Sequence, residues 1–328
     1  MKNLIEMHTY DVIIIGAGPC GLSCGIEAKI KNLDYLIVDK GSITESVRRY
    51  PVNMVFFSTS ENIEIGGIPF ISQGHRPTRT EALKYYRKVV SHYNLNLKLF
   101  TEVDTVEKAG NIFQVKTQLE TLYARNVIIA TGYYDVPKFL GIPGESLPHV
   151  SHYYDEAFQY SRMKAVVVGG ANSAIEAALD LYRNDVEVTV VHMYDTLDKR
   201  AKYWIVPDLE NRIKSGEVKA YFRHKVIEIR EKSMTLQNLD DHSKVDIPAD
   251  FIFLLTGYRP DKELLEKIGI LLDGENLIPR IDSTTFDSNI PGIYMAGSII
   301  GGEETAKVFI ENGRLHAAPI IADILKKR

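Results

Sequence analysis

The sequence predicts an α/β protein with two Rossmann-like dinucleotide-binding domains, the second inserted in the first. Three observations lead to this prediction. A unit of strand, glycine turn, helix and strand occurs twice: "DVIIIGAGPCGLSCGIEA" with "YLIVDK", and "AVVVGGANSAIEAALDL" with "VEVTVVHM". In both copies 23 residues separate the first glycine from the end of the second strand, at Asp39 and at His192. Each copy is followed by an apolar strand that ends in Thr-Gly-Tyr, at "NVIIATGYYDVP" and "FIFLLTGYRPD".

The composition agrees with a globular protein of two domains. The chain has 328 residues, of which 45% are hydrophobic and 25% charged, with a net charge of -4. No stripe of lysine and arginine is present, which argues against a nucleic-acid binder. The two cysteines are too few for a disulfide framework, and no apolar leader or membrane-spanning run is evident, so we expect a cytoplasmic protein that contacts no membrane. No metal-binding pattern occurs.

The first glycine turn, "GAGPCG", has the spacing of a phosphate-binding turn. Gly16 permits the tight turn, Gly18 lets the backbone approach a pyrophosphate, and Gly21 lets the helix pack close to the strand. The free N–H groups at the helix N-terminus attract the phosphates. Asp39, at the end of the second strand, can accept hydrogen bonds from the ribose hydroxyls.

The second glycine turn departs from this pattern. It comprises Gly169, Gly170, Ala171, Asn172, Ser173 and Ala174. His192 replaces the carboxylate, and Lys199, Arg200 and Lys202 follow it. These side chains favour the 2′-phosphate of NADPH over NADH. Asp195 and Asp198 in the same loop weaken that preference, and a merely solvated loop is the alternative.

The order of the motifs predicts the domain boundaries. We expect the first domain to comprise residues 1–137 and 261–328, and the inserted domain residues 138–260. The last segment has one short strand, a glycine-rich loop and a helix. Since it can bury little apolar surface by itself, it is expected to complete the first domain.

This arrangement resembles the small flavoprotein reductases with two dinucleotide-binding domains, which include the thioredoxin reductases. The resemblance implies FAD in the first domain, a nicotinamide dinucleotide in the second, and a homodimer. No CxxC occurs from Gly132 to Gly169, which excludes a thioredoxin reductase that uses such a dithiol. Ser298 stands where the class usually has an aspartate for the ribityl chain.

The implied ligand contacts extend over both domains. For FAD they are Gly16, Gly18, Pro19, Cys20, Gly21, Asp39, Lys40, Val103, Ala130, Thr131, Gly132, Gly297, Ser298 and Lys307. For NADPH they are Gly169, Gly170, Ala171, Asn172, Ser173, Ala174, His192, Lys199, Arg200 and Gly257.

A narrower set of motifs is similar to the bacillithiol disulfide reductase (YpdA-type) family. These motifs are "GPCG", "SVRRYPVNMVFFSTSENIEIGG", "ATGYYDVP", "KYW" and "FIENGR". The family resemblance implies an NADPH-dependent FAD enzyme that reduces the disulfide of a low-molecular-weight thiol. Hydride then passes from NADPH to flavin N5 and on to the disulfide, with the GPCG cysteine as candidate thiol. A ferredoxin- or flavodoxin-NADP reductase and a flavin-based redox sensor are the alternatives.

Two roles are open for Cys20. The helix N-terminus lowers a thiol pKa, which would favour a catalytic thiolate. The nearby pyrophosphate would disfavour a second anion, and a buried cysteine is often only a small apolar filler. Cys24, one turn along the same helix, is expected to pack against the sheet.

Overall fold

The computed structural model describes residues 8–304 and 307–328. The chain divides into two compact units. Unit 1 contains the residues up to Arg49, Val55–Val136 and Tyr258–Arg328, and unit 2 contains Tyr50–Met54 and Pro137–Gly257.

This division differs from the expected boundaries at three places, the first being that the inserted segment begins at Pro137 instead of residue 138. Tyr50–Met54 belongs to unit 2, because the N–H of Val52 donates to the carbonyl oxygen of Asp155 at 3.0 Å. The inserted segment ends at Gly257 instead of residue 260, where the Gly257 carbonyl accepts from the N–H of Lys138 at 2.9 Å.

Unit 1 begins with the first predicted strand–turn–helix unit. Up to the first crossing, its elements are β1 (Thr9–Ile15), α1 (Pro19–Ile30), β2 (Tyr35–Val38), α2 (Glu45–Arg48), α3 (Ser60–Ile63), α4 (Arg79–Tyr93), β3 (Leu97–Lys98), β4 (Val103–Ala109), β5 (Ile112–Thr117), β6 (Thr121–Ile129) and, at the crossing, β7 (Val136–Pro137).

Unit 2 follows with the second copy. Its elements are β8 (Val150–Ser151), a 3₁₀ turn (Phe158–Tyr160), β9 (Lys164–Val168), α5 (Asn172–Arg183), β10 (Glu187–His192), α6 (Val206–Lys214), β11 (Lys219–Phe222), β12 (His224–Arg230), β13 (Ser233–Asn238), β14 (Lys244–Pro248) and β15 (Phe251–Leu254).

The chain then returns to unit 1. The remaining elements are β16 (Tyr258–Arg259), α7 (Lys262–Ile268), β17 (Leu272–Asp273), β18 (Ile278–Pro279), β19 (Ile293–Met295), a 3₁₀ turn (Gly297–Gly301), α8 (Ile310–Gly313), a 3₁₀ turn (Arg314–His316) and α9 (Ala317–Lys327).

The main sheet of unit 1 has the strand order β3-β2-β1-β6-β5-β4, and β19 also pairs with β6. β1 pairs in parallel with β2 and with β6, whereas β4, β5 and β6 pair antiparallel. Residues 11–15 of β1 are all buried, as expected for a central strand covered on both faces. Because β19 is parallel to β6, the last segment of the chain supplies a strand to this sheet, as predicted.

The main sheet of unit 2 repeats this arrangement. Its order is β11-β10-β9-β15-β8, and the paired strands are parallel. In both sheets the first strand of the repeat lies between its second strand and the strand that ends in Thr-Gly-Tyr. A separate antiparallel sheet has the order β12-β13-β14. The predicted α/β fold class with two Rossmann-like sheets is confirmed.

The longest helix that the structure describes, α4, has 15 residues. Within residues 8–304 and 307–328, no helix has the length and apolar character that crossing a membrane requires.

Candidate functional site

The first glycine turn connects β1 to α1, and each of its glycines has a distinct environment. Gly16 has φ +115°, and a Cβ there would lie 2.4 Å from the carbonyl oxygen of Ala130. A Cβ on Gly21 would lie 1.9 Å from the carbonyl oxygen of Gly16. A Cβ on Gly18, by contrast, would meet no described atom within 4 Å. The turn therefore requires glycine at its two ends and leaves open space at its middle.

Helix α1 begins beside that space, with Gly18 as N-cap and Pro19 in its first turn. Within the described residues no side chain caps this N-terminus. The helix therefore presents N–H groups and a partial positive charge toward the open side of Gly18, which suits a phosphate group.

Asp39 stabilises the turn from the end of β2. Its carboxylate accepts hydrogen bonds from the N–H of Ala17 at 2.6 Å and of Gly41 at 2.7 Å. Burial raises the pKa of Asp39 and these two hydrogen bonds oppose that shift, while Asp135 and Glu45 add to it. The carboxylate thus ties β2 to the turn, in addition to its expected role toward a ribose.

The other expected side chains of the β2 and β4 region lie nearby. Lys40 pairs with Asp135 at 3.1 Å. The N–H of Thr101 donates to the carbonyl oxygen of Asp39 at 2.8 Å, which brings the start of β4, at the buried Val103, close to the end of β2.

The ends of β6 and β19 bring two more expected segments together, because the N–H of Ala296 donates to the carbonyl oxygen of Ile129 at 2.9 Å. A Cβ on Gly132, which has φ +71°, would lie 3.4 Å from the Oγ of Ser298. The Oγ1 of Thr131 is buried and has no hydrogen-bond partner within residues 8–304 and 307–328. A buried hydroxyl without a partner is costly, and a bound ligand would satisfy it.

Lys307, another expected FAD contact, lies near the turn Gly297–Gly301, since a Cβ on Gly301 would lie 4.0 Å from its Cβ. Its side chain is exposed and its ammonium pairs with Glu304. The described residues give no contact that directs Lys307 toward the glycine turn.

The second glycine turn has the same backbone construction as the first. Gly169 has φ +141°, and a Cβ there would lie 2.5 Å from the carbonyl oxygen of Leu255, which follows β15. Ala174 takes the place of Gly21 and is buried. A Cβ on Gly170 would lie 2.4 Å from Nε2 of His192, so that ring lies directly against the turn.

The helix after this turn begins beside the loop that follows β10. Ala171 is the N-cap of α5, and no side chain of the described residues caps it. The Asn172 side chain instead accepts from the N–H of Lys202 at 2.7 Å, and Ser173 is partly buried. Gly257 has φ +102° and lies at the crossing out of unit 2.

A family model described as pyridine nucleotide-disulphide oxidoreductase matches residues 13–297. The bacilliredoxin reductase Bdr of Bacillus subtilis is 40% identical over 316 residues, which are 96% of this chain and 97% of the relative. The chain belongs to the Bdr (YpdA) family of pyridine nucleotide-disulphide oxidoreductases. The solved structures of the bacillithiol disulfide reductases of Staphylococcus aureus and Bacillus cereus are 38% and 36% identical. Each has a TM-score of 0.95 and is matched over 98% of this chain and 100% of its own.

Membership of this family confirms the predicted enzyme class, a pyridine-nucleotide-dependent flavoprotein disulfide reductase. It also implies that the protein binds a flavin and a nicotinamide nucleotide. The first glycine turn fits an FAD, because it combines open space at Gly18, an uncapped helix N-terminus and the unpartnered Thr131 hydroxyl within the described residues.

Cys20, in the first turn of α1, is packed against two glycines of unit 1. A Cβ on Gly297 would lie 2.9 Å from its Sγ, and a Cβ on Gly313 would lie 2.8 Å from it. Burial raises the pKa of Cys20 to about 12, although this residue is partly exposed to solvent, and it also raises the pKa of the buried Cys24. Desolvation thus outweighs the lowering of the pKa that a helix N-terminus can give, and a catalytic role for Cys20 stays a prediction. The structure favours the filler role over the thiolate.

The cations expected around His192 are engaged with carboxylates. Arg200 forms a two-pronged ion pair with Asp198, and Lys202 is buried and pairs with Glu176. Burial lowers the pKa of His192, although Asp198 opposes this shift, so the ring is neutral at pH 7. The expectation of a free basic cluster is corrected: Lys199 is exposed, while its two basic neighbours already have partners.

His316, for which the sequence predicts no role, contacts the first site. The Nδ1 of His316 accepts a hydrogen bond from the N–H of Gly297 at 3.1 Å, and its ring stacks on Phe286 at 4.3 Å. Burial lowers the pKa of His316 to about 4, which keeps the ring neutral. A single histidine before a helix gives no sequence signal for this role.

Proposed function

We propose that this protein transfers electrons from NADPH to the disulfide of a low-molecular-weight thiol, with FAD bound in unit 1. The overall reaction consumes one NADPH and one proton and releases NADP⁺ and two thiols. Two observations within the described residues support this proposal: a Cβ on Gly18 would meet open space, and the buried Thr131 hydroxyl has no partner, both of which suit a bound dinucleotide. The names of the relatives supply the substrate class, a bacillithiol disulfide or a disulfide of a bacilliredoxin.

FAD, when bound, supplies a two-electron carrier between the nicotinamide and the disulfide. The residues of unit 1 hold and orient it. The N-terminus of α1 stabilises the pyrophosphate, Asp39 accepts from the ribose, and Thr131 and Ser298 offer hydroxyl groups near the ends of β6 and β19.

The second glycine turn binds the nicotinamide nucleotide in this proposal. The N-terminus of α5 receives the pyrophosphate, as in unit 1, while His192 and the loop after it face the adenosine ribose. NADPH is preferred because Lys199 and Arg200 are exposed in that loop.

Cys20 contributes mainly by packing. Attack on a disulfide requires a thiolate, and a pKa of about 12 leaves very little thiolate at pH 7. A mixed disulfide on Sγ would also need space that Gly297 and Gly313 occupy. The route through a Cys20 thiolate is therefore the alternative that the experiment must test.

The decisive experiment measures NADPH oxidation by the FAD-loaded enzyme under anaerobic conditions. The acceptors are bacillithiol disulfide, glutathione disulfide, cystine, an oxidised bacilliredoxin and ferredoxin. We expect turnover with a small disulfide and none with ferredoxin; turnover with ferredoxin alone would make the protein a ferredoxin-NADP reductase. Reduction of bound FAD without turnover of any acceptor would indicate a redox sensor.

Cys20→Ala separates the two roles of the thiol, with Cys24→Ala as matched control on the same helix. We expect both variants to keep FAD and to reduce disulfides within about threefold of the parent rate. A loss of about a hundredfold or more in Cys20→Ala alone, with FAD retained, would show that the thiol reacts.

A homodimer is also part of the proposal and rests on the family resemblance, while the expected cytoplasmic location rests on the small number of cysteines and the lack of an apolar leader. Light scattering coupled to gel filtration of the FAD-loaded protein tests the homodimer through the molar mass.

A further inference from the structure

Asp198 lies in the loop that follows β10, and this loop folds back onto the second glycine turn. The N–H of Asp198 donates to the carbonyl oxygen of Gly170 at 2.9 Å. The N–H of Lys202 donates to Oδ1 of Asn172 at 2.7 Å. Because the loop is attached to the turn at both places, residues 198–202 lie beside the region that receives the adenosine ribose in a Rossmann fold.

The Asp198 carboxylate holds the guanidinium of Arg200 in the way that a phosphate would. Nε of Arg200 donates to Oδ1 at 3.0 Å, and Nη2 donates to Oδ2 at 2.8 Å. The backbone N–H of Arg200 also donates to Oδ1 at 2.9 Å. Two parallel N–H groups are the geometry with which arginine binds a carboxylate or a phosphate.

This ion pair is open to competition, because the side chain of Arg200 is 76% exposed. Exposed pairs contribute little to stability, so a dianionic phosphate can displace the carboxylate. Lys202 offers no equivalent, since it is buried and pairs with Glu176. Arg200 is therefore the side chain of this loop that can donate two parallel hydrogen bonds to a phosphate. In this structure the Asp198 carboxylate accepts both of them.

We propose that Asp198 determines nucleotide specificity by competing with the 2′-phosphate of NADPH for Arg200. The carboxylate also repels that phosphate directly, and it has no such effect on the 2′-hydroxyl of NADH. The protein therefore selects NADPH over NADH less strongly than its cations alone would permit. This inference rests on the nucleotide site proposed above for unit 2.

The test compares Asp198→Asn with Asp195→Asn, which removes the same charge from an exposed position of the same loop. Calorimetry on the FAD-loaded protein measures binding of 2′,5′-ADP and of 5′-AMP, which differ only in the 2′-phosphate. We expect Asp198→Asn to raise the affinity ratio in favour of 2′,5′-ADP by about five- to tenfold. The ratio of kcat/KM for NADPH over NADH should rise in parallel. Asp195→Asn should change either ratio by less than about twofold.

Adding Arg200→Gln to Asp198→Asn should abolish the rise in the affinity ratio, because the guanidinium that binds the 2′-phosphate is then absent. An unchanged ratio in Asp198→Asn, or an equal rise in Asp195→Asn, would overturn the inference. In that case both nucleotides would still reduce the enzyme and the proposed function would stand. If the parent protein bound neither adenosine ligand and oxidised neither nucleotide, the inference and the proposed function would fall together.

Discussion

The two glycine turns are alike at their first glycine and differ in the side chain that lies against each of them. In both, a Cβ on the first glycine would clash with the carbonyl oxygen of the residue that follows the closing strand, Ala130 in unit 1 and Leu255 in unit 2. In unit 1 the Asp39 carboxylate accepts two backbone N–H groups, whereas in unit 2 the His192 ring lies against Gly170. The position of the first glycine is therefore common to both turns, and the residue at the end of the second strand distinguishes them.

The threonine after each closing strand shows a second difference. Thr256 in unit 2 donates to the carbonyl oxygen of Lys138 at 2.9 Å. Its counterpart Thr131 is buried and has no partner in the described part of the chain. The same residue type thus has a partner within unit 2, whereas in unit 1 no described residue provides one.

The largest effect is expected from Gly21→Ala, although the counterpart of Gly21 in unit 2 is already alanine. A Cβ at 1.9 Å from the carbonyl oxygen of Gly16 forces α1 away from β1. We expect a loss of about 3 kcal/mol or more in stability, together with loss of FAD. Chemical denaturation and the flavin absorbance of the purified protein measure both.

Gly18→Ala is the matched control, since its Cβ meets no described atom and its φ of -72° suits alanine. The stability without FAD should stay within about 1 kcal/mol of the parent, while FAD affinity falls because the methyl group takes the space of the pyrophosphate. Equal destabilisation by both substitutions would mean that the two positions do not differ as the structure indicates.

A smaller and more selective effect is expected from Gly170→Ala in the second turn. The new Cβ would overlap the His192 ring, with Nε2 only 2.4 Å away. We expect FAD to remain bound while NADPH reduces it at least about tenfold more slowly, because the ring must leave the nucleotide site. Stopped-flow absorbance of the flavin measures this rate.

His192→Ala combined with Gly170→Ala tests the cause of that effect. Removing the ring removes the clash. NADPH should therefore reduce the flavin of the double variant faster than the added effects of the two single substitutions predict. Strict additivity would show that His192 and Gly170 act independently.

The sequence predicted the parts of both sites that depend on backbone geometry. Glycines at fixed spacing and the repeated closing strand were sufficient to predict two Rossmann-like domains, and the structure adds the strand order that their sheets share. It could not predict the Cys20 pKa, which depends on burial against Gly297 and Gly313, far along the chain. The ion pairs of Arg200 and Lys202 were missed for a related reason, since composition does not show which carboxylate folds back onto which cation.

The smallest effect on stability is expected from substitution of His316. This ring contacts the backbone at Gly297 in unit 1, as the His192 ring lies against Gly170 in unit 2. Its neutral Nδ1 accepts from the N–H of Gly297, and its pKa falls from an ordinary value of 6.5 to about 4 in the folded protein. Between these two values the unfolded chain binds the proton more readily than the folded one. The stabilising contact is therefore fully present above pH 6.5 and is lost as the pH falls through about 4.

His316→Gln isolates this contribution, because an amide oxygen can still accept from Gly297 and does not titrate in this range. Other groups titrate equally in both proteins, so the difference in free energy of unfolding between parent and variant reports His316. We expect the advantage of the parent to shrink by about 1–2 kcal/mol from pH 7 to pH 4, less than the full pKa shift implies because the ring is partly exposed. Denaturation curves at several pH values measure it. If the free energies of unfolding of parent and variant changed with pH in parallel, His316 would bind its proton equally in the folded and unfolded states. Its contact with Gly297 would then contribute nothing that depends on pH.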